Sequence, residues 1–121
     1  MLFGFGKKDS EKNAHEADEA TAAPKVDPAL LIRRRYRYVG QVQGVGFRWN
    51  AKRIADGMGM TGWVRNESDG SVTCVLQGTQ DQLATFATRL RESLSNWARY
   101  TIDDMEDEPV QAAEKDFRVR Y

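Results

Sequence analysis

Two apolar stripes at helical spacing, set between segments of alternating texture, constrain the fold of this chain most. Ala51, Ile54, Ala55 and Met58 recur three and four residues apart, as do Leu83, Phe86, Ala87, Leu90 and Leu94. That spacing puts each set on one face of a helix, so helices are predicted over 48–58 and 80–94. Gly57 and Gly59 mark the end of the first, and Thr79 or Asp81 caps the second. Before the first helix, Arg35, Arg37 and Val39 alternate with Tyr36, Tyr38 and Gly40, the period of a strand. Further strands are predicted over 61–66, 71–77, 100–105 and 116–121. Ser68-Asp69-Gly70-Ser71 forms a turn in which Gly70 supplies the positive φ that hairpins favour. The order is therefore β-α-β-β-α-β with one extra strand. Two helices at those positions pack on one face of an antiparallel sheet, an α/β (α+β), ferredoxin-like sandwich.

The chain has 121 residues, which suits one domain. Residues 7–29 are rich in Lys, Glu, Asp, Ala and Thr and lack strong apolar periodicity. Such a segment buries too little surface to offset its ordering entropy, so residues 1–30 are expected to be a disordered tail and 31–121 the folded domain. Basic and acidic residues balance at 18 each. That balance argues against a dedicated nucleic-acid or membrane partner. Residues 31–121 hold a small basic excess, which suits a small anionic substrate. With one cysteine, Cys74, and one histidine, a structural zinc site has too few soft ligands. No run approaches the roughly 20 apolar residues of a membrane helix. A cytoplasmic monomer is expected.

The loop Gly40-Gln41-Val42-Gln43-Gly44-Val45-Gly46-Phe47-Arg48 carries the strongest chemical signal. It leaves a strand and enters a helix. Its glycines let successive N–H groups converge on an anion, and the helix N-terminus adds free N–H groups and a positive dipole. Arg48, in the first helical turn, presents a planar fork that fits two phosphate oxygens. Taken alone, this loop reads equally as a tight turn followed by a surface arginine. It lacks the Gly-Lys-Ser/Thr ending of a P-loop and the third glycine of a dinucleotide fingerprint.

Gly62-Trp63-Val64-Arg65-Asn66 ends the second strand, where Asn66 can reach the mouth of the same loop. A carboxamide both donates and accepts, so it can orient a water without becoming charged. Alone, Asn66 reads more readily as a residue that opens the following turn.

Together, Gly40 to Arg48, Gly62 to Asn66, Asp69-Gly70-Ser71-Val72 and Gln77-Gly78 closely resemble the acylphosphatase family, in order and with its spacing. The resemblance covers roughly residues 34–121, with Phe117 to Tyr121 similar to the family's last strand. It implies a ferredoxin-like fold and hydrolysis of acyl phosphates to a carboxylate and inorganic phosphate. By position it implies catalytic roles for Arg48, on the phosphate, and Asn66, on the attacking water. Phosphate contacts are implied for Gln43, Gly44, Val45, Gly46, Phe47 and Arg48, with no metal or cofactor. Two departures stand out. Ala51 replaces a threonine found in many relatives, a role Asn50 could assume, and Glu67 puts a negative charge beside the site.

RNA-recognition domains share this element order, but they stack bases on sheet aromatics, and Ser71 to Gln77 contains none. An acylphosphatase-like domain that only binds would need the arginine and not the asparagine. Trp63 and Cys74 are expected in the core, Trp97 and Tyr100 at the start of the fourth strand, and the Arg33–Arg37 run as a solvated strand entry.

Overall fold

A computed structural model describes residues 27–96 and 98–121. The expected tail falls largely outside them, as does Trp97. Residues 27–30 are ordered, with Asp27 capping a 3-10 turn over Pro28–Leu30 by accepting from the Ala29 amide at 2.9 Å.

The chain then runs β1 (Ile32–Gly40), α1 (Phe47–Gly57), β2 (Thr61–Asn66), β3 (Val72–Gly78), α2 (Gln80–Leu94), β4 (Tyr100–Glu108) and β5 (Phe117–Arg120). The sheet order is β4-β1-β3-β2-β5. β1 lies antiparallel to β3 and β4, and β3 antiparallel to β2; the appended β5 joins β2 in parallel. This is the expected β-α-β-β-α-β fold with its helices on one face.

Strand periodicity decides which side chains meet the helices. Tyr36 and Tyr38 of β1 sit opposite Cys74 and Val72 of β3, and Val64 of β2 also faces Cys74. These residues are buried with Phe47, Ala51, Ile54 and Ala55 of α1 and Leu83, Phe86, Leu90 and Leu94 of α2. Cys74 lies fully inside, and burial pushes its thiol well above the usual range. The α2 N-terminus is closed by a reciprocal cap: Thr79 Oγ1 accepts from the Gln82 amide at 3.2 Å, and Gln82 Oε1 accepts from the Thr79 amide at 2.9 Å. Gly62 has a φ of 136°, and a Cβ there would stand 1.9 Å from the Val75 carbonyl oxygen. Only glycine lets β2 close onto β3 at this point.

The opposite face is polar. Arg33, Arg35 and Arg37 point there, across from Glu108, Glu106 and Asp104 of β4. Arg34 pairs with Asp107 at 2.6 Å, Arg35 with Glu106 and with Glu108 at 2.9 Å, and Arg37 with Asp103 and with Asp69 at 2.7 Å. The basic strand entry is thus a partner of the acidic strand, which runs three residues beyond the expected Met105. Glu106-Asp107-Glu108 have weak intrinsic strand preference; cross-strand pairing to arginines holds them extended.

β4 and β5 occupy opposite edges, so segment 109–116 must cross the sheet. It does so over a buried polar clasp. Gln77 accepts from the Gln111 amide at 2.8 Å and donates to the Gln111 carbonyl at 3.0 Å. Arg33, only 2% exposed, donates to Glu114 at 2.7 Å. Among the described residues no helix is long and apolar enough to cross a membrane.

Trp63 departs from expectation. Gly62 and Val64 take the inward positions, so the period of two turns Trp63 to the polar face. There it is half-buried, with the guanidinium groups of Arg120 and Arg65 lying 4.5 and 5.0 Å from its ring centroid.

Candidate active site

The loop between β1 and α1 is pinned at both ends by apolar side chains. Val42 and Phe47 are each 1% exposed. The Phe47 ring packs against Tyr38 at 4.9 Å and Tyr100 at 5.6 Å, so the first residue of α1 is anchored in an aromatic cluster. Between these anchors the backbone is turned outward. Gly44 and Gly46 adopt φ values of 78° and 80°, the left-handed conformation that directs consecutive amides to the same side. Gly46 is the helix N-cap and offers no side chain to the first turn. Among the described residues, no acceptor takes the amide hydrogens of residues 43–49. Those donors belong to a helix start that usually finds a capping partner.

Asn50 fixes the shape of this turn. Its Nδ2 donates to the Gly46 carbonyl at 2.9 Å, alongside its own amide at 3.0 Å, and its Oδ1 accepts from Arg53 at 2.8 Å. Its carboxamide is therefore engaged within the helix start. Ala51 is fully buried in the core, where a hydroxyl would face apolar neighbours.

Arg48 is partly buried at the start of α1. Its guanidinium lies 5.0 Å from the Tyr121 ring, and no carboxylate of the described residues pairs with it. Asn66 ends β2 on the helix-facing side, opposite Val72. Its Oδ1 is buried and has no hydrogen-bond partner among the described residues. A buried acceptor left in that state costs roughly 1–3 kcal/mol, so such atoms normally meet a donor.

Glu67, next in sequence, falls on the other face. Its carboxylate meets Arg65 at 3.1 Å, and hydrogen bonding from Thr73, then Arg65, holds it below the usual carboxylate range. The negative charge is thus turned toward Arg65 and away from the loop amides.

Among the expected phosphate contacts, two side chains have other partners. Phe47 belongs to the core, leaving only its amide for a ligand. The Gln43 side chain donates from Nε2 to the carbonyls of Glu67 at 2.8 Å and Ser71 at 2.9 Å, so it bridges to the β2–β3 hairpin. No spacing in the sequence signals that bridge, because its acceptors are backbone atoms more than twenty residues away.

The acylphosphatase family model matches residues 34–119. The acylphosphatase of Enterococcus faecalis is 40% identical over 85 residues, covering 70% of this chain and 93% of that protein. The crystal structure of the Bacillus subtilis acylphosphatase superposes with a TM-score of 0.60 at 26% identity, over 74% of this chain and 99% of that one. An acylphosphatase structure from Coxiella burnetii matches with a TM-score of 0.60 at 29% identity, over 76% of this chain and 95% of that one. Matched by the family model over 34–119 and aligned with these relatives over nearly their whole length, the chain belongs to the acylphosphatase family.

Proposed function

We propose that this member of a family of acyl-phosphate hydrolases works by direct attack of water on a phosphate held in the β1–α1 loop. The amides of residues 43–48 and the Arg48 guanidinium meet the phosphate oxygens. The charge they place there is fixed before the substrate arrives, which favours the transition state without reorganisation. Asn66 Oδ1 accepts a hydrogen bond from the attacking water and sets it in line with the bond to the acyl oxygen.

The water oxygen bonds to phosphorus as the bond to the acyl oxygen breaks. The bonding pair leaves on the carboxylate, and the water's proton passes to a phosphate oxygen of the substrate. A carboxylate is a good leaving group, so no protein acid is required.

The observation that carries this reading is Asn66 Oδ1, buried and without a hydrogen-bond partner among the described residues, on the hairpin that Gln43 ties to the loop. A domain that only bound anions would have use for the amides and the arginine, with no task for a buried acceptor. The test is hydrolysis of acetyl phosphate by the wild type, Arg48→Ala and Asn66→Ala. The wild type turns over, with inorganic phosphate as a competitive inhibitor. Both variants fold and lose at least about 100-fold in rate, the effect of removing one transition-state contact. A folded, inactive wild type refutes the enzyme reading. A pH–rate profile that follows a protein side chain refutes proton transfer to the substrate.

A further inference from the structure

Asn66 and the loop amides belong to different elements, and a water held by one must line up with a phosphate held by the other. The backbone of β2 fixes Asn66 relative to the sheet, and Phe47 fixes the loop relative to the core. Among the described residues, the one direct side-chain hydrogen-bond bridge between them comes from Gln43. Its two acceptors, the carbonyls of Glu67 and Ser71, already close the hairpin turn. Glu67 O takes the Gly70 amide at 3.2 Å, and Ser71 O takes the Glu67 amide at 2.9 Å. Both are acceptors only, so the amide nitrogen of Gln43 must face them. That single nitrogen thus joins the exposed loop to the residue that follows Asn66 and to the one that closes the turn.

We propose that Gln43 is a positioning residue: its side chain locks the phosphate loop to the hairpin that carries Asn66, and so sets the direction of water attack. This rests on the water-holding role proposed for Asn66. It assigns the Gln43 carboxamide to alignment and leaves only the Gln43 amide hydrogen to the phosphate. Catalysis is steep in such distances; a misplacement of about 1 Å can cost up to about 100-fold in rate. A residue that aligns attack without binding phosphate should change kcat and spare KM.

The experiment compares wild type, Gln43→Met, Gln43→Glu, Asn66→Ala and the Gln43→Met/Asn66→Ala pair on acetyl phosphate, with inorganic phosphate as inhibitor. Gln43→Met keeps length and removes the donor. Gln43→Glu keeps shape and sets a charge against two carbonyls. Each is expected to lower kcat at least about tenfold, with KM and phosphate inhibition within about twofold of wild type. Added to Asn66→Ala, Gln43→Met should cost less than about twofold more, because the two act as a unit. Amide hydrogen exchange at Glu67 should quicken in both single variants.

A rise in KM with kcat kept, a full multiplicative loss in the pair, wild-type rates, or unchanged exchange would each overturn the proposal. Equal rates for wild type and Asn66→Ala would refute the water-holding role itself. An Asn66-dependent wild type with an indifferent Gln43 would refute only the alignment.

Discussion

The two ends of β1 handle positive charge in opposite ways. Along the strand, Arg33, Arg34, Arg35 and Arg37 each meet a carboxylate from β4, the 109–116 crossing or the β2–β3 turn. Past its C-terminal end, the loop amides and Arg48 meet none among the described residues. The arginine-rich strand and the glycine loop are neighbours in sequence, yet the first directs its charge into the sheet and the second toward solvent. Net charge hides this division. What matters for an anion is the set of outward-facing donors the fold leaves without acceptors, and the loop holds them; Arg33 Nε also lacks a hydrogen bond among the described residues, but it is buried 3.6 Å from Glu108.

Four substitutions or conditions test that contrast. Arg48→Lys keeps the charge and loses the fork; kcat/KM should fall on the order of 1,000-fold, with the thermal midpoint unchanged. A drop below tenfold would show that charge alone suffices there. Glu114→Ala should act the other way. It leaves the buried Arg33 short of its nearest partner and lowers unfolding free energy by about 3 kcal/mol in denaturant titration, while turnover per folded molecule holds. Gly46→Ala strains a positive φ at the edge of the loop; about 1–2 kcal/mol of stability and about tenfold in phosphate inhibition should be lost together.

Acid gives the smallest effect. Hydrogen bonds from the Ser71 hydroxyl and amide, then Arg37, hold Asp69 well below the usual carboxylate range, and a hydrogen bond from Arg34 lowers Asp107. A carboxylate with a depressed folded-state pKa stabilises above its unfolded value, about 3.9, and that stability fades as pH falls toward the folded value. The thermal midpoint should therefore decline below about pH 4 and stay flat from about 5 to 7. A decline centred near pH 6 would point away from these carboxylates.

Most of the architecture is readable locally. The two stripes place α1 and α2 within a residue of their observed bounds, and the Gly70 turn places the hairpin. Two departures from expectation differ in cause, one long-range and one local. β4 continues through Glu106-Asp107-Glu108 because arginines some seventy residues earlier hold those side chains. Trp63 leaves the core because its inward neighbours, Gly62 and Val64, set the parity of β2. That parity is local, since Gly62, Trp63 and Val64 alternate along one strand.

The site divides the same way. Glycines, helix start and arginine are contiguous and carry their chemistry openly. The destination of the Gln43 carboxamide and the turn of Glu67 toward Arg65, away from the loop, depend on a hairpin that meets the loop only in three dimensions.

The acidic β4 has a further consequence, for colloidal behaviour. It is an outer strand whose side chains from Thr101 to Asp107 are exposed, with one row of backbone groups unpaired. An open edge of that kind is a template for another strand. Five carboxylates within 103–108 make any second copy approaching that edge in register meet like charge at almost every residue. The strand that neutralises the arginines of β1 on one side thus repels its own kind on the other. Charge of that kind disfavours extension of the sheet beyond β4 by a second copy.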